Sequence, residues 1–153
     1  ILERPRHKKI IDQLINLKVN LKLITDGDIS GALLVSNEKY GVDIFMGIGG
    51  GPEGVLAASA LDAYNCNFQG RFIFKEEKDI SRAKKMGIKE LDRKYELSEI
   101  ISGDSIFCAT GITSGDLVNG IEIIEDKYSS ETLVTHKNSN TKKVIKRTEN
   151  LTS

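Results

Sequence analysis

Apolar residues recur at helical spacing from His7 to Leu17, where Ile10, Ile11, Leu14, Ile15 and Leu17 share roughly one face, and this pattern predicts a helix. Val19 to Ile24 alternates apolar and polar positions and predicts a strand, which Thr25-Asp26-Gly27-Asp28 breaks. Ile29 to Val35 reads as a short helix, Ser36 to Gly41 as a connection, and Val42 to Met46 as the next strand. A glycine loop and a helix from about Glu53 to Tyr64 follow, then a strand at Gly70–Phe74 and a helix from Asp79 to Met86 closed by Gly87. Asp92 to Glu96 has no clear pattern. Leu97 to Ile101 reads as a short helix and Ser105 to Ala109 as a buried strand. Gly120–Ile124 and Ser130–Lys137 are further strands, and Lys142–Arg147 pairs with the latter across 138–141. Strand–helix alternation of this kind predicts an α/β fold. We expect a mostly parallel sheet flanked by helices, with a C-terminal antiparallel hairpin. Residues 1–149 are expected to form a single α/β domain, with a frayed tail at 150–153.

The segment Gly47-Ile48-Gly49-Gly50-Gly51-Pro52-Glu53-Gly54 places five glycines in eight residues between an apolar run and an alanine-rich one. Glycines let the backbone approach a ligand closely. The first amides of the following helix attract anions, Pro52 suits a first-turn position, and Glu53 adds a carboxylate at the helix start. An anion site beside a carboxylate suggests phosphate chemistry with a metal. A close-packed strand–helix crossover explains the same residues. A dinucleotide-binding loop is a third reading, but Pro52 stands where that fingerprint expects its third glycine, and residues 67–72 lack the acid it expects about 20 residues on.

Ligands on parallel α/β sheets gather at the carboxyl ends of the strands. Four loops qualify: Arg4–His7, Thr25–Asp28, Gly47–Glu53 and Thr110–Asp116. Arg4 and Arg6 offer guanidinium groups that bind phosphate oxygens bidentately, or form a solvated basic turn. Asp26 and Asp28, around Gly27, can hold Mg²⁺ or Mn²⁺ or accept from sugar hydroxyls, or simply cap a helix. Glu53 can be a hard-metal ligand or a favourable helix-start charge. Thr110, Thr113, Ser114 and Asp116 can line a pocket or form an ordinary turn.

Composition narrows the classes. Twenty-two basic and 22 acidic residues cancel, which leaves no nucleic-acid footprint and no basic membrane-surface patch. No apolar run approaches the roughly 20 residues of a membrane span. Cys66 and Cys108 read as buried free thiols in a reducing compartment, and with only His7 and His136 beside them they do not make a zinc site. The chain opens at Ile1-Leu2, which reads as the end of a strand, so a longer polypeptide is expected.

In order and spacing, Glu3-Arg4-Pro5-Arg6-His7, Asp26-Gly27-Asp28, Gly47 to Gly54, Gln69-Gly70-Arg71 and Ala109 to Asp116 resemble the C-terminal half of class II fructose-1,6-bisphosphatases, a family that includes fructose-1,6-/sedoheptulose-1,7-bisphosphatases. The resemblance covers nearly the whole chain. It implies a layered sugar-phosphatase fold of the lithium-sensitive type. It also implies a gluconeogenic phosphatase that uses Mn²⁺ or Mg²⁺ to hydrolyse the 1-phosphate of fructose 1,6-bisphosphate, giving fructose 6-phosphate. On that footing Arg4, Pro5, Arg6, Asp26, Gly27, Asp28 and Gly50 contact substrate and Glu53 binds metal. No catalytic residue is assigned in this half. The chain departs from the family at Ser114, where Asp is frequent, and at Arg4, where Lys is common. The family's other metal ligands, including an Asp-Gly-Thr motif, lie upstream of Ile1. The expected partners are therefore the sugar bisphosphate, the N-terminal half of the same enzyme and further copies in a cytoplasmic homo-oligomer, with no nucleic acid and no membrane, and the chain alone is expected to be inactive. The rival functions are non-catalytic sugar-phosphate binding and a nucleotide-binding oxidoreductase domain.

Overall fold

The glycine loop ends where expected, because Gly50 takes an extended conformation just ahead of a helix with Pro in its first turn and Glu53 behind it. The computed structural model describes residues 1–151. A 3₁₀ turn at Pro5–His7 leads into α1 (Lys8–Asn16), followed by α2 (Asp28–Leu33), α3 (Gly51–Asp62), β1 (Gln69–Gly70), α4 (Glu77–Lys85), β2 (Tyr95–Glu96), α5 (Leu97–Ile100), β3 (Ile106–Thr110), β4 (Glu122–Ile124), β5 (Lys127–His136) and β6 (Thr141–Asn150). Helices and strands mix along the chain as an α/β protein requires. Gly87 closes the turn after α4. The unpatterned stretch at 92–96 supplies β2, and Glu96 and Glu99 cap α5 reciprocally.

The sheet differs from the expected one. All named strand pairs among the described residues are antiparallel: β5 is flanked by β6 along its full length and by β3 and β4 on its other side, while β1 pairs with β2. Among the described residues the one parallel pairing is a single bridge, Leu2 to Ile24. Val19–Ile24 and Val42–Met46 therefore run without a ladder, and Gly70–Phe74 contributes only its first residue, to β1. The physical reason is that a strand is defined by its neighbour: an extended apolar segment cannot become a sheet strand until another backbone takes its hydrogen bonds. These segments keep large side chains in the open, with Ile44 74% and Ile73 56% exposed.

The hairpin forms as expected and is longer, because Lys127–Asn150 and Tyr128–Glu149 extend the pairing beyond 130 and 147. The tail expected to fray from 150 is thus paired at Asn150, Leu151 N–H donates to Asp126 O, and residues 152–153 lie outside the described residues. Along β3 the alternation turns Phe107 inward and leaves Cys108 exposed, which corrects the expectation of two buried thiols; Cys66 is half-buried and both are free.

The core lies where α2 and α3 meet β3 and β5. Ala32, Leu33, Ala57, Ala60, Leu61, Phe107 and Leu133 pack together there. Alanines on the buried side of α3 let its backbone come close, and the fully buried Thr135 donates its hydroxyl to Ala60 O at 3.5 Å. Buried Asp62, at the end of α3, pairs with Lys137 at 2.7 Å and ties the hairpin turn to the same helix.

The loop after β3 is closed by β5. Glu131 accepts from Asn119 N–H at 2.9 Å and from Asn119 Nδ2 at 3.0 Å. A side chain at Gly111 would place its Cβ 2.3 Å from Asn119 O, so this approach of backbone to backbone requires glycine. The Asn119 backbone N–H, followed by its side-chain amide, holds the Glu131 carboxyl below the usual glutamate range. A depressed carboxyl contributes stability that is fully present above its unfolded titration near about pH 4.3 and is lost as pH falls through the lower folded value. Urea unfolding of wild type and Glu131→Gln should therefore show a stability gap at pH 6 that narrows on acidification toward pH 3; a pH-independent gap contradicts this role.

Candidate functional site

Two short segments with the same spacing lie side by side. Arg4-Pro5-Arg6 faces Asp26-Gly27-Asp28, with Arg4 Nη2 3.6 Å from Asp26 Oδ1 and Arg6 Nη2 3.7 Å from Asp28 Oδ2. The backbone sets this register. Ile24 N–H donates to Ile1 O at 3.1 Å and Glu3 N–H to Ile24 O at 2.8 Å, so the two segments leave one bridge in parallel. Each arginine then meets the acid at the matching step.

The turn geometry around the acids is demanding. Gly27 adopts φ +84°, a conformation that side chains rarely tolerate, and its carbonyl accepts from Ser30 Oγ at 3.0 Å. Asp26 Oδ1 accepts Gly27 N–H at 2.9 Å, and Asp28 opens α2. Both ion pairs are substantially exposed, and such pairs are worth about 0–1 kcal/mol. A phosphate can therefore take the guanidinium groups from the carboxylates at little cost.

The glycine loop forms the third side. Arg6 Nε donates to Ile48 O. A Cβ built on Gly49 would sit 3.7 Å from Asp28 Oδ2, so the loop backbone passes beside that acid. Gly50 precedes α3, and a Cβ on it would lie 2.2 Å from Glu53 Oε2: the Glu53 carboxylate folds back over Gly50. Arg4, Pro5, Arg6, Asp26, Gly27, Asp28 and Gly50 thus occupy three segments in contact, with exposed Glu53 in the first turn of α3.

The fourth loop is built differently. Thr110 Oγ1 meets Thr132 Oγ1 at 2.8 Å across the β3–β5 pair, and Ser114 Oγ accepts Gly120 N–H at 2.9 Å, so both hydroxyls serve the turn. Asp116 lies 3.4 Å from Lys22 Nζ and its carbonyl accepts from Tyr40 OH at 3.1 Å, which ties the loop to the 19–24 segment and to the turn at Tyr40. The residue that sequence reasoning passed over is His7. It is fully buried and bonds both Leu2 and Ile48. Its place directly after Arg-Pro-Arg was the available signal.

Among the described residues no group of three His, Cys, Asp or Glu side chains is placed to hold a metal ion. Glu53 is one carboxylate with at most two oxygens to offer, and hard divalent cations take about six or more. The described residues do not form a metal centre by themselves. No helix among them is long and apolar enough to cross a membrane.

Residues 1–149 match the family model described as bacterial fructose-1,6-bisphosphatase, glpX-encoded. The chain is 37% identical to the D-fructose 1,6-bisphosphatase class 2/sedoheptulose 1,7-bisphosphatase of Synechococcus sp. (strain JA-3-3Ab), over 95% of this chain and 46% of that protein. The proteins of the same name from Crocosphaera subtropica and Trichodesmium erythraeum are 34% and 32% identical over the same shares. The chain spans about half the length of the curated relatives it matches.

The Gly27 turn gives a direct test of the geometry. Gly27→Ala forces a side chain into the left-handed region, at about 1–2 kcal/mol, and its Cβ would also fall 2.2 Å from Ser30 Oγ. Urea unfolding should show a loss of at least that size. The double variant Gly27→Ala/Ser30→Ala should recover the steric part and keep the backbone part. No loss in the single variant rules out the turn described.

Proposed function

The chain belongs to the glpX-encoded bacterial fructose-1,6-bisphosphatase family, and from that premise we propose that it is the substrate-binding half of an enzyme hydrolysing the 1-phosphate of fructose 1,6-bisphosphate to fructose 6-phosphate. The observation that carries this reading is the stepwise facing of Arg4 and Arg6 with Asp26 and Asp28 beside the glycine loop. Arg4 and Arg6 hold the phosphate that is not cleaved, which orients the sugar. Asp26 and Asp28 accept from sugar hydroxyls and fix its register. Pro5 and Gly27 keep the two segments in step, and Gly50 admits the ligand close to the backbone. Glu53 lends one oxygen to a Mg²⁺ or Mn²⁺ centre whose other acids belong to the part of the relatives' length that this chain does not span.

The outward apolar positions support a covering partner of that kind. Ile44, Met46, Val55 and Leu56 are 74%, 42%, 49% and 47% exposed around the glycine loop and α3. We further propose that residues 1–149 act as one α/β unit within a layered sugar-phosphatase fold of the lithium-sensitive type, where 19–24, 42–46 and 70–74 gain parallel neighbours. The whole enzyme is cytoplasmic and assembles from several copies. Non-catalytic binding of sugar phosphate is the second reading, favoured by the lack, among the described residues, of any group of three side chains placed to hold a metal.

Two measurements test this. The 153-residue chain alone, given Mn²⁺ or Mg²⁺ and fructose 1,6-bisphosphate, should release no phosphate above background; robust turnover would sink the need for further acids. In the complete enzyme Arg4→Ala is the cleaner probe, because Arg6 also holds Ile48. A charge-assisted bond to phosphate is worth about 1.5–3 kcal/mol, so kcat/KM for the bisphosphate should fall roughly ten- to hundredfold, mostly through KM. A sugar monophosphate lacking the distal phosphate should lose much less. Equal loss on both substrates would place Arg4 at the scissile phosphate or in the fold.

A further inference from the structure

Both backbone polar groups of Ile48 are held by adjacent residues of one turn. His7 Nε2 accepts Ile48 N–H at 2.8 Å, and Arg6 Nε donates to Ile48 O. The other ring nitrogen, Nδ1, lies 2.7 Å from Leu2 O. Nε2 also lies 3.1 Å from Ile48 O, but Leu2 O can only accept, so Nδ1 carries the proton, and in the neutral ring Nε2 is then the acceptor of Ile48 N–H. Leu2 in turn is bridged to Ile24, two residues before Asp26.

We propose that His7 is the positioning residue that sets the glycine loop against the Arg4–Arg6 and Asp26–Asp28 segments, and so fixes where Gly50 and Glu53 stand relative to the bound sugar phosphate. This rests on the function proposed above. Ile48 lies between Gly47 and Gly49, and flanking glycines impose almost no backbone preference of their own. The path of the loop must therefore be dictated by what its peptides bond to. Ile48 precedes Gly50 by two residues and Glu53 by five, so freedom at Ile48 is freedom at both. His7 itself is fully buried and is placed to hold the ligand-binding segments rather than to touch the ligand. Its loss should register less in binding, to which Arg4, Arg6, Asp26 and Asp28 still contribute, than in kcat and in the metal concentration needed for half-maximal rate.

Two amide replacements in the complete enzyme separate the ring's contacts. The longer His7→Gln places its oxygen near the Nε2 position, keeps an acceptor for Ile48 N–H and gives up Leu2 O, which still has Arg4 N–H at 3.0 Å. His7→Asn places its amide near Nδ1, keeps Leu2 and leaves Ile48 N–H without its acceptor. Both variants bury an amide, so a merely structural histidine predicts similar behaviour for the two. We expect His7→Gln to keep kcat within about threefold of wild type, and His7→Asn to lose at least about tenfold in kcat with KM changed less and the metal requirement raised. Hydrogen exchange gives a readout that does not depend on turnover: the Ile48 amide should be protected in wild type and His7→Gln and exchange at least about tenfold faster in His7→Asn. Equal exchange or equal kcat in the two folded variants overturns the proposal. If wild type shows the protected amide but does not hydrolyse the bisphosphate, the function reading fails while the clamp itself stands. Should His7→Asn not fold, His7→Gln decides alone: a tenfold loss of kcat or an unprotected Ile48 amide is then the overturning result.

Discussion

The close approach of α3 to the sheet is the constraint on which the rest depends. Ala57, Ala58 and Ala60 sit on the buried side of that helix, and their small side chains let α2 and α3 pack with Phe107 of β3 and Leu133 of β5 in one cluster. Two of the three site segments are attached to the ends of these elements. The glycine loop runs into the N-terminus of α3, Asp28 begins α2, and the 111–120 loop leaves β3. A larger residue in the alanine row would lift α3 and shift the loop that feeds it, at the roughly 1–3 kcal/mol usual for overpacking.

The electrostatics are arranged for exchange rather than for strength. The chain has no net charge, and the two arginines of the site face two aspartates at 3.6 and 3.7 Å. Ion pairs this exposed contribute little to stability, so they hold the segments loosely while leaving both sets of groups usable. Position comes instead from the Leu2–Ile24 bridge and from the bond between Ile48 N–H and the buried His7 ring, which do not have to be given up when an anion or hydroxyl binds. Rigid backbone with replaceable side-chain partners is the arrangement expected of a pre-formed ligand site.

How much of this could be read from the chain follows the range of the interactions. Local signals were legible: the glycine run ahead of α3, the C-terminal hairpin and the turn at Gly87 each depend on residues a few positions apart. The grouping of the Arg, Asp and Gly loops was legible only as coincidence among candidate ligand loops, and the structure shows why it arises, since Leu2–Ile24 pairing sets Arg4 and Arg6 opposite Asp26 and Asp28. What stayed hidden depends on distant backbone. Val19–Ile24, Val42–Met46 and Phe72–Phe74 carry strand composition, yet composition does not supply a neighbour. The apolar surroundings of Cys108 suggest burial, and strand alternation turns it outward. His7 offered only a lone ring in a basic turn, because its partner Ile48 lies 41 residues away.

Two shortfalls of the described chain meet on the same helix. Glu53 is a single carboxylate where a hard divalent cation needs several, and Leu56, one turn further along α3, leaves half its surface in water. Residues three apart on a helix are neighbours on its surface. Whatever covers Leu56 therefore passes beside Glu53. Apolar burial is non-directional and supplies affinity, whereas metal coordination demands defined oxygen positions. On the proposed reading these tasks divide: the apolar side chains around the glycine loop hold the covering segment down, and the Gly50–Glu53 geometry, with the carboxylate folded over a residue that has no side chain, fixes where its acids must arrive. A covering surface without carboxylates would satisfy Leu56 and leave Glu53 as a helix-start charge, which is the physical content of the difference between an enzyme and a sugar-phosphate-binding module here.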